Sequence, residues 1–385
     1  MNYFLPTYEQ SKEIVASKGT MVFYETVNYV DGYKVSVFNY RLPQYMDFLV
    51  PVEGKDYDAH ELRGLTYVFN EDGSLFERYL MLNKFWNINQ VTETLFDKVK
   101  DKKIKSVYNK EDGSLITFVK LPNGKVVAKT KMGFDNEQAL VANELYTKNV
   151  SIQKFVESQL EKSFVTMWEY VSFKNKIVLD YKETELILLR VRNNKNGEYV
   201  DVDKFRGLGF RVVESVKIDF DLVSIMKWLE TAVDVEGVVI TFEDDMMVKS
   251  KSAWYMARHH LLTKEANREN YIIEMILKDT IDDLKSQLNP ISDIERISWI
   301  ENIEDIVKNF ISEKIAEVEN LVSKYTGDLK YFAISYKKDK NFPLAINVIR
   351  RKCDAYTAVK DWLLVQTKHL EQAKSFVNRK DFKRK

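Results

Sequence analysis

The spacing of apolar and polar residues changes near residue 255. Before it, short runs rich in β-branched and aromatic residues recur between turn signals, the pattern of half-buried strands. The segments "ELRGLTYVF" and "SLFERYLML" flank an Asp-Gly turn, while "SLITFVKL" and "KVVAKTK" flank a turn at Pro122–Gly124. Further strands are expected at "FVTMWEYV", "KIVLDY", "LILLRVRN", "GFRVVESVKI", "GVVITF" and "MMVKSKSAWYM". Three helical patterns interrupt them, Asp135–Lys148, Ser151–Lys162 and Phe220–Ala232, each preceded by or starting with a capping-type Asp or Ser. Strands mixed with occasional helices, without regular alternation, indicate the α+β class with largely antiparallel sheets. After residue 255 the only glycine is Gly327 and the prolines are Pro290 and Pro343. Segments such as "ISWIENIEDIVKNFISEKIAEVENLVSKY" carry apolar residues at spacings of three and four, the helical period. The expected division is an α+β domain over 1–255 and an all-helical domain over 256–385.

Length agrees, because 385 residues exceed what one core normally holds. With 45% hydrophobic and 13% aromatic residues, packed cores are expected rather than disorder. A single cysteine, Cys353, allows no intramolecular disulfide and fits a reducing cytoplasm. No apolar run reaches the ~20 residues of a membrane span, and "MNYFLPTYEQSKEI" lacks a signal-peptide pattern. A soluble cytoplasmic protein with no membrane partner is the expectation. Net charge is zero, but from Asp328 to Lys385 there are 15 Lys and Arg against 6 Asp and Glu. That basic segment suits a polyanionic partner, and equally a solvated helical surface.

The pentapeptide EDGSL occurs twice, at Glu71–Leu75 and Glu111–Leu115. Asp-Gly between strand-like runs signals a hairpin, because Gly supplies positive φ. Only the second copy is preceded by a lysine, Lys110, which makes it Lys-x-Asp-Gly. That resembles the nucleophile motif of the covalent nucleotidyltransferases, which implies a lysine that gives up its proton to attack a phosphorus, with cations for the phosphates and carboxylates for a metal and ribose. Such a set follows in order. Glu169 stands inside the apolar strand "VTMWEYV", where an acid without a role is rare. Glu236-Gly237 opens "EGVVITF". Lys249 and Lys251, two apart in "MMVKSKSAWY", share one strand face, and Lys129 and Lys131 repeat that spacing. Each residue alone reads as a turn or a solvated face; the ordered series is what carries chemistry. The histidines His60, His259, His260 and His369 show no metal-ligand spacing with Cys353.

Over about Tyr33–Tyr255 the chain resembles the RNA ligase 1 family of T-even bacteriophages, ATP-dependent RNA ligases of the covalent nucleotidyltransferase superfamily. "KEDGSL" resembles the nucleophile motif, "WEYV…NKIVL" the third motif, "LILLRVR" its hydrophobic follower, "VEGVV" the fourth and "KSKSAWY" the fifth. "ELRGLTY" and "NKFWNIN" resemble the N-terminal signature segments, with Arg63, Lys84 and Trp86 at functional positions. The resemblance implies a nucleotidyltransferase domain followed by a helical domain that would set RNA specificity. It implies ATP and Mg²⁺ as cofactors. The implied substrate is RNA with 5′-phosphate and 3′-hydroxyl ends, with tRNA repair as the setting and a monomer as the working form.

Residue by residue, it implies Lys110 as nucleophile and Lys249, Lys251 and Glu236 as its catalytic companions. Arg63, Lys84, Trp86, Glu169 and Tyr255 join Lys110, Lys249 and Lys251 in binding ATP. Lys129 and Lys131 contact RNA or phosphate, Glu236 holds the metal, and Asp112 and Gly113 shape the turn. Asp282 and Asp283 are a further metal position, weighed against acids that simply complement a helix start. Leu115 stands where DNA ligases and capping enzymes carry an arginine, and the continuation is helical rather than β-rich, which separates the chain from those relatives. Within the family, Phe38 stands where a tyrosine is expected, and "LILLRVR" offers no aromatic for stacking adenine. The alternative readings are a catalytically inactive RNA-binding scaffold on the same fold, or a DNA ligase or capping-type nucleotidyltransferase.

Overall fold

The period-two half of the chain builds three sheets, which the computed structural model describes together with the helices of the remainder. Described are residues 4–19, 22–41, 43, 45–49, 59–172, 179, 181–216, 221–256, 269–286, 288 and 294–367. The chain divides into two units, Met1–Leu262 and Thr263–Lys385.

In the first unit the strands are β1 (Phe23–Val30), β2 (Tyr33–Tyr40), β3 (Leu65–Phe69), β4 (Leu75–Tyr79), β5 (Trp86–Asn87), β6 (Ile104–Lys110) and β7 (Ser114–Lys120). They continue as β8 (Val126–Thr130), β9 (Phe164–Val171), β10 (Glu185–Asn193), β11 (Tyr199–Val200), β12 (Arg211–Val212), β13 (Gly237–Phe242) and β14 (Met247–Lys251). The first sheet runs β1-β2-β3-β4; the second runs β11-β10-β9-β7-β8 with β12 beside β10; the third runs β5-β14-β13-β6. Pairing is antiparallel except for β10 with β12 and β14 with β5.

Alternation explains how the layers stack. In β7, Val119 joins the core shared with the first sheet, alongside Phe38, Tyr67 and Met167, whereas Phe118 faces the opposite way. Phe118 and Trp168 pack there against Tyr146 and Phe155 from the helices Glu137–Lys148 and Val150–Glu161. Truncating a side chain buried as fully as Trp168 costs about 3–5 kcal/mol. The third sheet is covered by the helix Leu222–Thr231 through Leu222, Ile225 and Leu229. The three expected helices are present with shifted starts. Asn136 and Asn149, rather than Asp135 and Ser151, supply the capping oxygens, and Asp221 caps the third.

The two EDGSL copies differ. The first is a hairpin between β3 and β4 of one sheet, exposed, with Gly73 at φ +82°. The second joins β6 of the third sheet to β7 of the second, so it is not a hairpin, and Gly113 is not among the positive-φ residues. The Pro122–Gly124 turn is the expected hairpin, with Gly124 at φ +86°. The expected strand "KIVLDY" and the tail beyond residue 367 lie mostly or wholly outside the described residues. "GFRVVESVKI" yields only the two-residue β12.

The second unit is helical as expected, with Glu269–Leu277, Ile281–Lys285, Ile294–Val322, Leu329–Tyr336, Phe342–Arg351 and Ala355–Thr367. Its longest helix buries Ile300, Ile303, Val307, Ile311, Ile315 and Val318, the three-and-four spacing read from the sequence. Among the described residues no helix is long and apolar enough to cross a membrane.

Candidate active site

Register in the third sheet gathers the lysines. Gly237 of β13 lies opposite Lys110 of β6 on one side and Lys251 of β14 on the other, and Val239 lies opposite Lys249. Directly opposed residues project to the same face, so three lysines border one face with only a glycine between Lys110 and Lys251. A Cβ at Gly237 would sit 2.1 Å from the Ser250 carbonyl oxygen and 2.7 Å from the Lys251 Cα, so the close strand approach demands glycine. The preceding residue, Glu236, is buried and accepts both ammonium groups on one oxygen. Its Oε1 is 2.7 Å from Lys110 Nζ and 3.0 Å from Lys251 Nζ. Its Oε2 is buried with no hydrogen-bond partner.

The segment after Lys110 is held from several directions. Asp112 Oδ1 accepts from Tyr255 Oη at 2.9 Å and Oδ2 from the Leu179 N–H at 2.9 Å. The Asp112 N–H donates to Tyr181 Oη at 2.8 Å, and that hydroxyl donates to Glu111 Oε2 at 3.0 Å. Burial pushes the Glu111 carboxyl above its ordinary range, opposed by Arg211 3.8 Å away. Tyr255 also carries Lys251 Nζ over its ring at 4.7 Å. A Cβ at Gly113 would lie 2.2 Å from the Tyr170 carbonyl oxygen, so this glycine serves the close approach of the chain to β9.

Two cavities meet at Lys110. One, of about 250 Å³, is lined by Arg63, Lys110 and Glu169 with apolar walls that include Leu115, Leu189 and Val239. The other, of about 790 Å³, is polar and includes Lys110, Glu111, Glu236, Arg211 and Trp254. Glu169 lies on β9 between Leu115 of β7 and Ile187 of β10. Burial pushes its carboxyl up to about 8; Lys110 opposes that shift and Glu236 and Glu111 add to it. At neutral pH it is therefore mostly protonated and can donate as well as accept a hydrogen bond.

The remaining predicted residues divide. Arg63 lines the small cavity, with Nη1 donating to the Leu82 carbonyl at 3.3 Å. Lys84 Nζ stands 4.3 Å from the Trp86 ring and 5.5 Å from that of Tyr40, and Lys131 Nζ stands 4.6 Å from Tyr40. Lys129 is a correction. It is fully buried, its Nζ donating to the Gly64 carbonyl at 2.9 Å, and burial lowers its pKa to about 7. That ammonium supports the segment behind Arg63 and does not reach a surface where phosphate could lie.

Asp282 and Asp283 occupy the first turn of a five-residue helix in the second unit. Among the described residues no group of three or more His, Cys, Asp or Glu is arranged to hold a metal, so no third ligand is gathered around them. Phe38 is fully buried in edge contact with Tyr8 and Tyr67, a site with no use for a hydroxyl. Sequence reasoning passed over Arg190, Tyr181 and Arg211. Arg190 carried the signal that flagged Glu169, a charge within an apolar strand.

The family model described as RNA ligase matches residues 61–255. A Thermovibrio ammonificans protein described as a candidate RNA ligase is 26% identical over 354 residues, covering 86% of this chain and 88% of that protein. Among solved structures, an archaeal ATP-dependent RNA ligase is similar at 13% identity and a TM-score of 0.47, over 81% of this chain and 79% of that one. A Naegleria gruberi RNA ligase with PPi is similar at 13% identity and a TM-score of 0.37, over 61% of this chain and 76% of that one.

Proposed function

Because this chain belongs to the RNA ligase family, we propose that it seals RNA ends at the expense of ATP, with Lys110 as the covalent nucleophile. The observation that carries the proposal is the ion-paired position of Lys110 Nζ, 2.7 Å from buried Glu236, where an apolar cavity meets a polar one. Deprotonated Nζ attacks the α-phosphorus of ATP. A P–N bond forms, and the bond to the β-phosphate oxygen breaks with its electron pair leaving on pyrophosphate. Glu236 Oε1 is the acceptor within reach of the departing proton. The AMP then passes to a 5′-phosphate oxygen of RNA, freeing the lysine. A 3′-hydroxyl next attacks the RNA 5′-phosphorus and expels AMP.

The chain's own residues have separable tasks in this reading. Lys249 and Lys251 supply positive charge for the phosphates, and Arg63, Lys84 and Lys131 add to it for the phosphates of ATP or RNA. Protonated Glu169 lies beside Lys110 and suits a ribose hydroxyl, which both donates and accepts. Tyr255 and Tyr181 keep Asp112, and so Lys110, in place. The donor set fits a divalent cation: Glu236 Oε2 is buried and unpartnered, and Mg²⁺ is commonly held by one or two carboxylates with substrate phosphates and water. When bound, the metal supplies charge neutralisation at those phosphates. We assign RNA with a 5′-phosphate and a 3′-hydroxyl as substrate, a broken tRNA as its natural form, and a cytoplasmic monomer as the agent.

The test uses purified protein freed of bound AMP, incubated with α-labelled ATP and Mg²⁺ and then denatured. Label should survive on the wild type and be absent from Lys110→Ala. An unlabelled wild type would overturn the enzyme reading in favour of an RNA-binding scaffold.

A further inference from the structure

Two arginines lie two residues apart on β10, both project to one face of the sheet, and both are buried. Arg190 is 8% exposed and Arg192 is 0% exposed. Their hydrogen bonding differs sharply. Arg192 donates through Nε to the Gly197 carbonyl at 2.6 Å, through Nη1 to Glu61 Oε2 at 2.7 Å and the Met81 carbonyl at 2.8 Å, and through Nη2 to Glu61 Oε1 at 2.6 Å. It is a saturated structural group. Arg190 makes one hydrogen bond, Nη1 to the Leu189 carbonyl at 2.9 Å, and lies over the Tyr108 ring at 4.4 Å. Among the described residues it forms no ion pair. A guanidinium carries five N–H donors, and those of Arg190 without a protein partner are open to an acceptor in the cavities it lines, the 250 Å³ one and another shared with Tyr108, Asp201 and Asp203.

The backbone shows where that acceptor enters. A β-bulge interrupts the ladder: Leu188 pairs with Trp168 and Arg190 with Met167, which leaves Leu189 as the extra residue. The irregularity turns both Leu189 and Arg190 onto the 250 Å³ cavity beside Lys110 and Glu169. Besides Arg190 and the charged groups already named, that cavity has apolar walls, with Leu115, Val213 and Val239 among them. A flat heterocycle with ring-nitrogen acceptors satisfies both features at once. Its faces match the aliphatic walls and its edge meets the donors.

We propose that Arg190, stacked on Tyr108, binds the nucleobase of ATP by donating to a ring nitrogen of the adenine. This rests on the reading of Lys110 as the ATP-reactive lysine.

The experiment separates the two claims by measuring binding apart from chemistry. In the Lys110→Ala background, which cannot form the covalent bond, titration calorimetry compares ATP with 1-deaza-, 3-deaza- and 7-deaza-ATP. The same titrations are run with Arg190→Met and Arg190→Lys added. One analogue should bind more weakly than ATP by on the order of ten- to a hundredfold, the value of a hydrogen bond to a charged donor. Arg190→Met should weaken ATP by a similar factor and abolish the further penalty of that analogue, while Arg190→Lys should keep part of it. Thermal melting of each variant detects misfolding independently of the binding measurement. The proposal is overturned if Arg190→Met binds ATP like its parent. It is equally overturned if every analogue keeps its penalty in the variant. Normal ATP discrimination without any label on the wild type would instead overturn the ligase reading alone, and failure of ATP to bind would overturn both.

Discussion

Replacing Gly237 with alanine tests whether strand approach, rather than side-chain chemistry alone, sets the position of Lys251. The added Cβ would begin 2.1 Å from the Ser250 carbonyl oxygen, and both that atom and the Lys251 Cα at 2.7 Å belong to the β14 backbone. No rotamer change relieves the clash. Reaching an ordinary contact near 3.4 Å needs roughly 1.3 Å of displacement between β13 and β14. Lys251 Nζ is 3.0 Å from Glu236, so a shift of that size disrupts the ion pair and moves one of the three lysines on this face. Overpacking of this kind costs about 2 kcal/mol, a fall in Tm of roughly 4–8 °C for a unit of this size. Misplacement by about 1 Å typically costs on the order of a hundredfold in rate. Single-turnover formation of lysyl-AMP at saturating ATP reads the second effect and thermal melting the first. Gly133→Ala is the control, since its Cβ would meet only Asp135 Oδ1 at 3.7 Å. If Gly237→Ala keeps both the melting temperature and the single-turnover rate of Gly133→Ala, the strand-approach argument is wrong.

Two further outcomes follow from the same geometry. Glu169 has its folded pKa raised from 4.5 to about 8. The folded state therefore holds a proton that the unfolded chain has released, and stability falls as pH rises from about 4.5 to 8, by up to about 1.4 kcal/mol per unit. Glu169→Gln should flatten that slope, which melting curves at pH 5 and pH 8 would reveal; parallel slopes for the two proteins would count against a protonated Glu169. Tyr255→Phe keeps the ring near Lys251 but loses the 2.9 Å hydrogen bond to Asp112. It should destabilise the first unit by about 1.5–3 kcal/mol in denaturant unfolding and slow lysyl-AMP formation without a matching rise in KM for ATP. A change confined to KM would show that Tyr255 acts on ATP binding instead of on the nucleophile.

Much of the site was legible from spacing because strands obey strict alternation. Lys249 and Lys251 share a face by parity, and register then sets them across from Val239 and Gly237. Lys110 stood out through the motif it begins, and Glu169 through its charge within an apolar strand. The longest helix of the second unit follows directly from its buried isoleucines and valines.

The same local rules failed wherever the answer lay in a distant partner. Both EDGSL copies have hairpin chemistry, yet Asp72 is exposed and Asp112 is buried. What differs is that β6 and β7 pair with strands of separate sheets, and no residue within the pentapeptide encodes those partners. Lys129 and Lys131 share a spacing, but β8 ends at Thr130, so Lys129 is enclosed between layers while Lys131 lies beyond the strand. Arg190 was visible as a charge within an apolar strand, but the bulge at Leu189 breaks the parity on which a reading of its face depends. The sequence by itself determined which residues alternate, which helices form and which lysine heads the motif. Only the tertiary structure decided which faces are covered, because burial depends on strands and helices packed together from distant parts of the chain.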